Sequence, residues 1–123
     1  MNAVNSSAWL AYIAGTASAK VFAPAIEATD SLIVPAITVY EVYRRLRAAR
    51  TETDALRVVV QMRLGRVVPL DDSLAIAAAD RSTAHRLPMA DRVILATARR
   101  FDATLWTQDA DFDGLAGVRY VPA

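Results

Sequence analysis

An α/β domain of three layers, with helices on both faces of a mostly parallel central sheet, is predicted by three observations. Short apolar runs alternate along the chain with longer stretches of helical periodicity, the rhythm of strands joined by right-handed crossovers. The run Leu32-Ile33-Val34-Pro35 is apolar on both faces, as strands covered on two sides are. The 123 residues, 54% of them hydrophobic, are enough for one core and too few for two, so residues 1–123 form a single domain.

Each element has its own signal. Ala3-Val4 is a brief strand, and Asn5-Ser6-Ser7 leads into a helix over Ala8 to Ala14. Thr16 to Ala28 is a second, Ala-rich helical stretch that Pro24 should kink or restart. Leu32 to Pro35 is a buried strand. Thr38 to Arg50 is a strong helix carrying Val39, Val42, Tyr43 and Leu46 on one face. Glu52 to Leu64 is another, and Gly65 suits its C-cap. Val67 to Leu70 is a short strand or extended link. Asp71 or Asp72 caps a helix running to about Ala84, and Pro88 opens a helix that ends at Arg100. Thr104 to Thr107 is a strand, and Val118 to Val121 is the last.

Composition excludes several classes of protein. Cysteine is absent, so there is neither a disulfide framework nor a thiolate metal site, and a reducing cytoplasm is the compatible setting. A net charge of +1 gives no support to coating nucleic acid by bulk charge. Lys20 is the single lysine, so the positive charge is nearly all arginine, as a GC-rich genome would produce. The uncharged segment before Lys20 lacks the basic start of a secretory signal, and polar residues interrupt it too often for a membrane span. Asp109 to Gly114 opens like a calcium-binding EF-hand loop, but Tyr120 stands where the twelfth-position Glu is required. A phosphoacceptor receiver domain would need a lysine late in the chain. The single histidine, His85, reads best as a solvated loop or helix-end residue. There is no Gly-rich phosphate loop.

The acids fall in a more informative pattern. Sites in open α/β sheets form beyond the carboxyl ends of the strands. Asn5 follows the first strand, Glu41 lies in the first turn of the helix after the second, Asp91 in the first turn after Pro88, and Asp109 two residues past Thr107. Carboxylates gathered without His or Cys suit a hard cation such as Mg²⁺ or Mn²⁺. Each residue also has a plain structural role open to it. Thr38-Val39-Tyr40-Glu41 is a capping box, Asp91 is favoured by the helix dipole, Asp109 suits a turn and Asn5 an N-cap.

Four segments taken together resemble PIN-domain ribonucleases, specifically the VapC-type toxins of bacterial toxin–antitoxin pairs. They are Val4 to Leu10, Pro35 to Val42, Leu87 to Ala98 and Ala103 to Phe112, in the expected order and spanning nearly the whole chain. The resemblance implies a Mg²⁺- or Mn²⁺-dependent endoribonuclease whose in-line attack leaves a 5′-phosphate and a 3′-hydroxyl. Glu41, Asp91 and Asp109 fall on three of the family's four acidic positions, and Ser7 and Thr107 on polar positions lining the same site. Asn5 stands where the family carries aspartate. An amide keeps the shape but loses the charge and one anionic ligand oxygen, so metal affinity and water activation should fall.

Two explanations fit Asn5: a deliberate inactivating substitution, or a natural change in a domain retained for binding. The otherwise intact site favours the first. The alternative function is a nuclease-dead PIN module that acts through protein binding. Arg44, Arg45 and Arg92 are RNA-binding candidates from their motif positions, although solvated helix faces account for at least half of such arginines. The resemblance further implies a homodimer and a cognate VapB-type antitoxin laid along the groove. The stripe Val39, Tyr40, Val42, Tyr43 and Leu46 could contribute to such a surface, with most of it expected in the core.

Overall fold

The computed structural model describes residues 1–80 and 86–123. His85 therefore lies outside the described residues. The elements run β1 (Asn2–Val4), α1 (Ser6–Ala14), α2 (Ala19–Glu27), β2 (Leu32–Pro35), α3 (Ala36–Ala49), α4 (Glu52–Met62), β3 (Arg66–Val68), α5 (Asp72–Ala79), α6 (Met89–Arg100), β4 (Thr104–Thr107) and β5 (Val118–Tyr120). The five strands form one sheet in the order β3-β2-β1-β4-β5, and every described pairing is parallel.

Alternation along the short strands divides the core between two layers. Ala3, Ile33 and Leu105 face one side, where they meet Leu74, Ile94 and Leu95 of α5 and α6. Val4, Leu32 and Val34 face the other, against Trp9, Phe22, Val42 and Met62 of α1 to α4. A strand residue sends its side chain to the face opposite its neighbour's, so runs buried on both sides must be apolar throughout. Burying each of the large side chains contributes roughly 1.5–3 kcal/mol. The expected three-layer α/β/α architecture is thus present.

Several local expectations are corrected. The third helix begins at Ala36 instead of Thr38, with Pro35 in the N-cap position, because β2 runs directly into α3. Thr38 is therefore a completely buried residue inside the helix, and its side chain forms no capping box. Pro24 neither breaks nor restarts α2, which is continuous through it. The fourth helix ends at Met62 with Arg63 as its C-cap. Gly65 answers to crowding instead of capping, since a Cβ there would stand 3.0 Å from the Leu32 carbonyl oxygen. Asp80 is extended, which ends α5 at Ala79; the rest of the expected stretch to Ala84 lies outside the described residues.

The strand order decides where a site can form. The chain steps outward from β1 to β2 and β3, then crosses back to place β4 on the other side of β1. The connections after β1 and β4 leave in opposite directions, which opens a crevice at the carboxyl ends of these two strands.

Candidate active site

Asn5, directly after β1, is the hinge of this crevice. Its backbone N–H continues the sheet by donating to the Trp106 carbonyl at 2.8 Å. Its side chain is 3% exposed and engaged at both ends. Oδ1 accepts from the Ser6 N–H at 2.8 Å, capping α1, and Nδ2 donates to Thr107 Oγ1 across the switch point at 3.0 Å. The N-cap role expected for Asn5 is therefore real, and so is its position beside β4.

Thr107 gathers the rest of a polar seam. Its Oγ1 also accepts from the Asp109 N–H at 3.0 Å. With both lone pairs taken by Asn5 and Asp109, its own proton faces Ser7 Oγ at 3.4 Å. Ser7 Oγ in turn accepts from the Gln108 N–H at 3.2 Å. Gln108 is fixed further by Ser18, whose hydroxyl donates to Oε1 at 2.6 Å. Asp109 uses Oδ1 to accept from the Asp111 N–H at 2.9 Å, so it is a turn residue as well as a site residue.

Glu41 and Asp91 complete the acidic side. Because α3 starts early, Glu41 lies beyond the helix's first turn, and its carboxylate accepts from Ser6 Oγ at 2.5 Å. The sixth residue of the chain thus replaces Thr38 as its partner. Asp91 lies in the first turn of α6, as expected. Its carboxyl is pushed up to about 6 by burial first, and then by the negative fields of Asp109, Glu41 and Asp111. Four acids therefore share one electrostatic neighbourhood. Their side chains are not drawn together as a finished cage: among the described residues, no three of His, Cys, Asp or Glu form a group able to hold one ion.

The arginine candidates separate. Arg44 and Arg45 line a pocket of about 210 Å³ together with Ser6, Ser7, Leu10, Tyr40 and Glu41. Arg92 is placed elsewhere. Its Nε donates to the Leu87 carbonyl at 2.9 Å, and it lines a mainly apolar cavity with Leu87, Met89 and Val93. Sequence reasoning passed over Ser6, Gln108 and Asp111. The acidic run after β4 carries the signal for Asp111, which also fits the opening of a calcium loop.

A family model described as PIN domain matches residues 3–118. The chain belongs to the PIN domain family. The solved structures similar to this PIN domain include one titled a toxin-antitoxin complex from Klebsiella pneumoniae. That match has a TM-score of 0.79 and 21% identity, and covers 97% of this chain and 96% of the other. VapBC2 from Rickettsia felis, bound to a DNA fragment from its promoter, matches with a TM-score of 0.72 and 10% identity over 98% and 97% of the two chains. FitAB bound to an IR36 DNA fragment matches with a TM-score of 0.70 and 22% identity over 99% and 94%. At these identities the likeness establishes the fold. A comparison with curated proteins gives no match. No helix among the described residues is long and apolar enough to cross a membrane.

Proposed function

We propose that this PIN domain is the toxin of a type II toxin–antitoxin system, an endoribonuclease dependent on Mg²⁺ or Mn²⁺ and weakened by Asn5. The observation that carries the reading is the state of Asp91. It is a half-buried carboxyl pushed up to about 6 by burial first and then by three acidic neighbours, at the topological switch point of a nuclease fold. The side-chain charges that shift Asp91 are all negative: Asp109, Glu41 and Asp111. Oxygen donors with no nitrogen or sulfur ligand fit a hard dication in kind and in charge.

Glu41, Asp91 and Asp109 would hold the cation, with the Asn5 side chain as the neutral fourth member. The bound ion would polarise the scissile phosphate and lower the pKa of an attacking water. The chain's own residues set the stage for that chemistry. Ser6 orients the Glu41 carboxylate, and Thr107 ties Asn5 and Asp109 to the same hydroxyl. Ser7 and Thr107 keep the floor of the crevice rigid. Arg44 and Arg45 supply positive charge on its flank.

A cognate antitoxin of the VapB type and a homodimer complete the proposal. The solved relatives titled as toxin-antitoxin and VapBC assemblies support the first. An apolar ridge on and just beyond α4 supports a protein interface, with Leu56 44%, Val60 63% and Leu64 65% exposed at helical spacing. A cytoplasmic setting accompanies this reading.

One observation favours the second reading, a nuclease-dead module that works through protein binding. The Asn5 amide has a partner for its oxygen and another for its nitrogen, as a native amide would. Asn5→Asp separates the two. The exchange is isosteric, and the Thr107 hydroxyl can reverse its proton to donate to the new carboxylate, so the variant should fold. With Mn²⁺ or Mg²⁺ it should cleave RNA at least about 100-fold faster than the parent chain and lose that activity in chelator. That factor is the upper end of what removing a supporting partner of a metal ligand costs. Inert Asn5→Asp protein on varied RNAs would leave the binding module as the function.

A further inference from the structure

We propose that the pocket between α1 and α3 is a nucleotide subsite, in which one unpaired base stacks on Tyr40 and the adjoining phosphate lies between Arg44 and Arg45. The assignment rests on the ribonuclease reading and specifies how its substrate is held.

Tyr40 does not belong to the core. Val42 and Leu46 of its stripe are buried and Val39 and Tyr43 half-buried, whereas Tyr40 is 61% exposed and lines the pocket. Arg44 is one helical turn further along the same ridge, and Arg45 stands one turn from Glu41. An Arg45–Glu41 pair at that spacing would be the ordinary outcome. It does not form; the Glu41 carboxylate is instead held by the Ser6 hydroxyl at 2.5 Å. Both guanidinium groups are without a hydrogen bond or ion pair among the described residues, and each retains its five donors. The Ser7 oxygen already receives the Gln108 N–H and faces the Thr107 proton, which frees its own proton for the pocket.

Size and position narrow the ligand. A volume of about 210 Å³ is smaller than the roughly 300–1,000 Å³ of sites that enclose a whole small molecule, and suits one ring with its phosphate. An exposed aromatic face beside free arginines is the combination that binds single-stranded nucleic acid without regard to sequence. An acidic peptide would use the arginines and leave the ring idle. Glu41 belongs to both the pocket and the acidic cluster, so a strand anchored here passes directly to the acids.

The test is fluorescence anisotropy of the intact chain with a labelled single-stranded RNA octamer, in chelator so that no cleavage intervenes. Tyr40→Ala should weaken binding about 5- to 100-fold, and Tyr40→Phe should stay within about twofold, because the stacking face is kept. Arg44→Gln with Arg45→Gln should reduce the slope of log affinity against log salt by about 1.4, which is two single-strand phosphate contacts. Replacing the octamer by an abasic strand should remove the difference between the parent chain and Tyr40→Ala. The subsite is overturned if the parent does not bind RNA at low salt, if Tyr40→Ala is neutral, or if the abasic strand shows the same Tyr40 dependence. Failure of the nuclease reading looks different: Asn5→Asp does not cleave, whatever Tyr40 does to binding. If Asn5→Asp cleaves and is indifferent to Tyr40→Ala, the nuclease reading stands and the subsite falls.

Discussion

Two halves of one crevice differ in how their polar groups are satisfied. On the β1–β4 side, Asn5, Thr107, Ser7, Gln108 and Asp109 form a seam in which side-chain and backbone groups pair with one another. On the α3–α6 side, Asp91 sits in the shared negative field of Glu41, Asp109 and Asp111. Burial is affordable for the seam because each polar atom recovers a bond it had in water. In the acidic half Glu41 is held by the Ser6 hydroxyl, whereas the Asp91 carboxyl is pushed up by burial and by its acidic neighbours. On the proposed function, the seam supports the site and the acids are the part that receives a cation.

Breaking the seam should produce the larger stability loss. Thr107→Val removes the acceptor of both the Asn5 Nδ2 donor and the Asp109 N–H. At about 1–3 kcal/mol for each buried donor left unsatisfied, urea unfolding should show a loss of about 2–6 kcal/mol. A neutral Thr107→Val would mean that the seam is not a supporting element.

Relaxing the acidic half should have the opposite sign. In the folded chain Asp91 titrates near 6, above its ordinary value of 3.8, so the native state holds that proton more tightly than the unfolded chain does. The resulting stabilisation is fully present below about pH 4 and is lost as pH rises through about 6. Above that, ionised Asp91 is a cost. Asp91→Asn should therefore raise the melting temperature at pH 7.5, by roughly 1–3 °C after allowance for solvent screening. It should also flatten the fall in stability between pH 4 and 7 while abolishing any RNA cleavage. A lower melting temperature for this variant at pH 7.5 would contradict the assignment of strain to Asp91.

The two halves meet at Ser6. Ser6→Ala deletes the hydroxyl that holds Glu41, at a cost of about 0.5–1.5 kcal/mol in urea unfolding. It should also let Arg45 pair with Glu41, so RNA binding should weaken although neither residue has changed.

The sequence made the pieces legible more readily than their meeting. Leu32–Pro35 and Thr104–Thr107 match their predicted bounds because strands of a covered parallel sheet carry their signal in their own composition. The placement of Asn5, Asp91 and Asp109 at strand ends and helix starts was readable for the same local reason. Thr38 shows the limit. Its capping-box spacing to Glu41 is correct, yet complete burial keeps it inside the helix, and Glu41 finds Ser6, 35 residues away. The Asn5–Thr107 bond spans 102 residues and exists because β4 crosses back to lie beside β1. Periodicity cannot report a strand order, so the switch point, and with it the division between seam and acids, required the fold.

The central claim, that the acidic half is a cation site, is tested most directly by thermal melting in the presence and absence of Mn²⁺. A ligand that binds the folded chain stabilises it by about 2.7 kcal/mol at a hundred times its Kd. Mn²⁺ should raise the melting temperature of the parent chain, raise that of Asn5→Asp further, and leave Asp91→Asn unmoved. No Mn²⁺-induced rise in Asn5→Asp, or an equal rise in Asp91→Asn, would contradict the account.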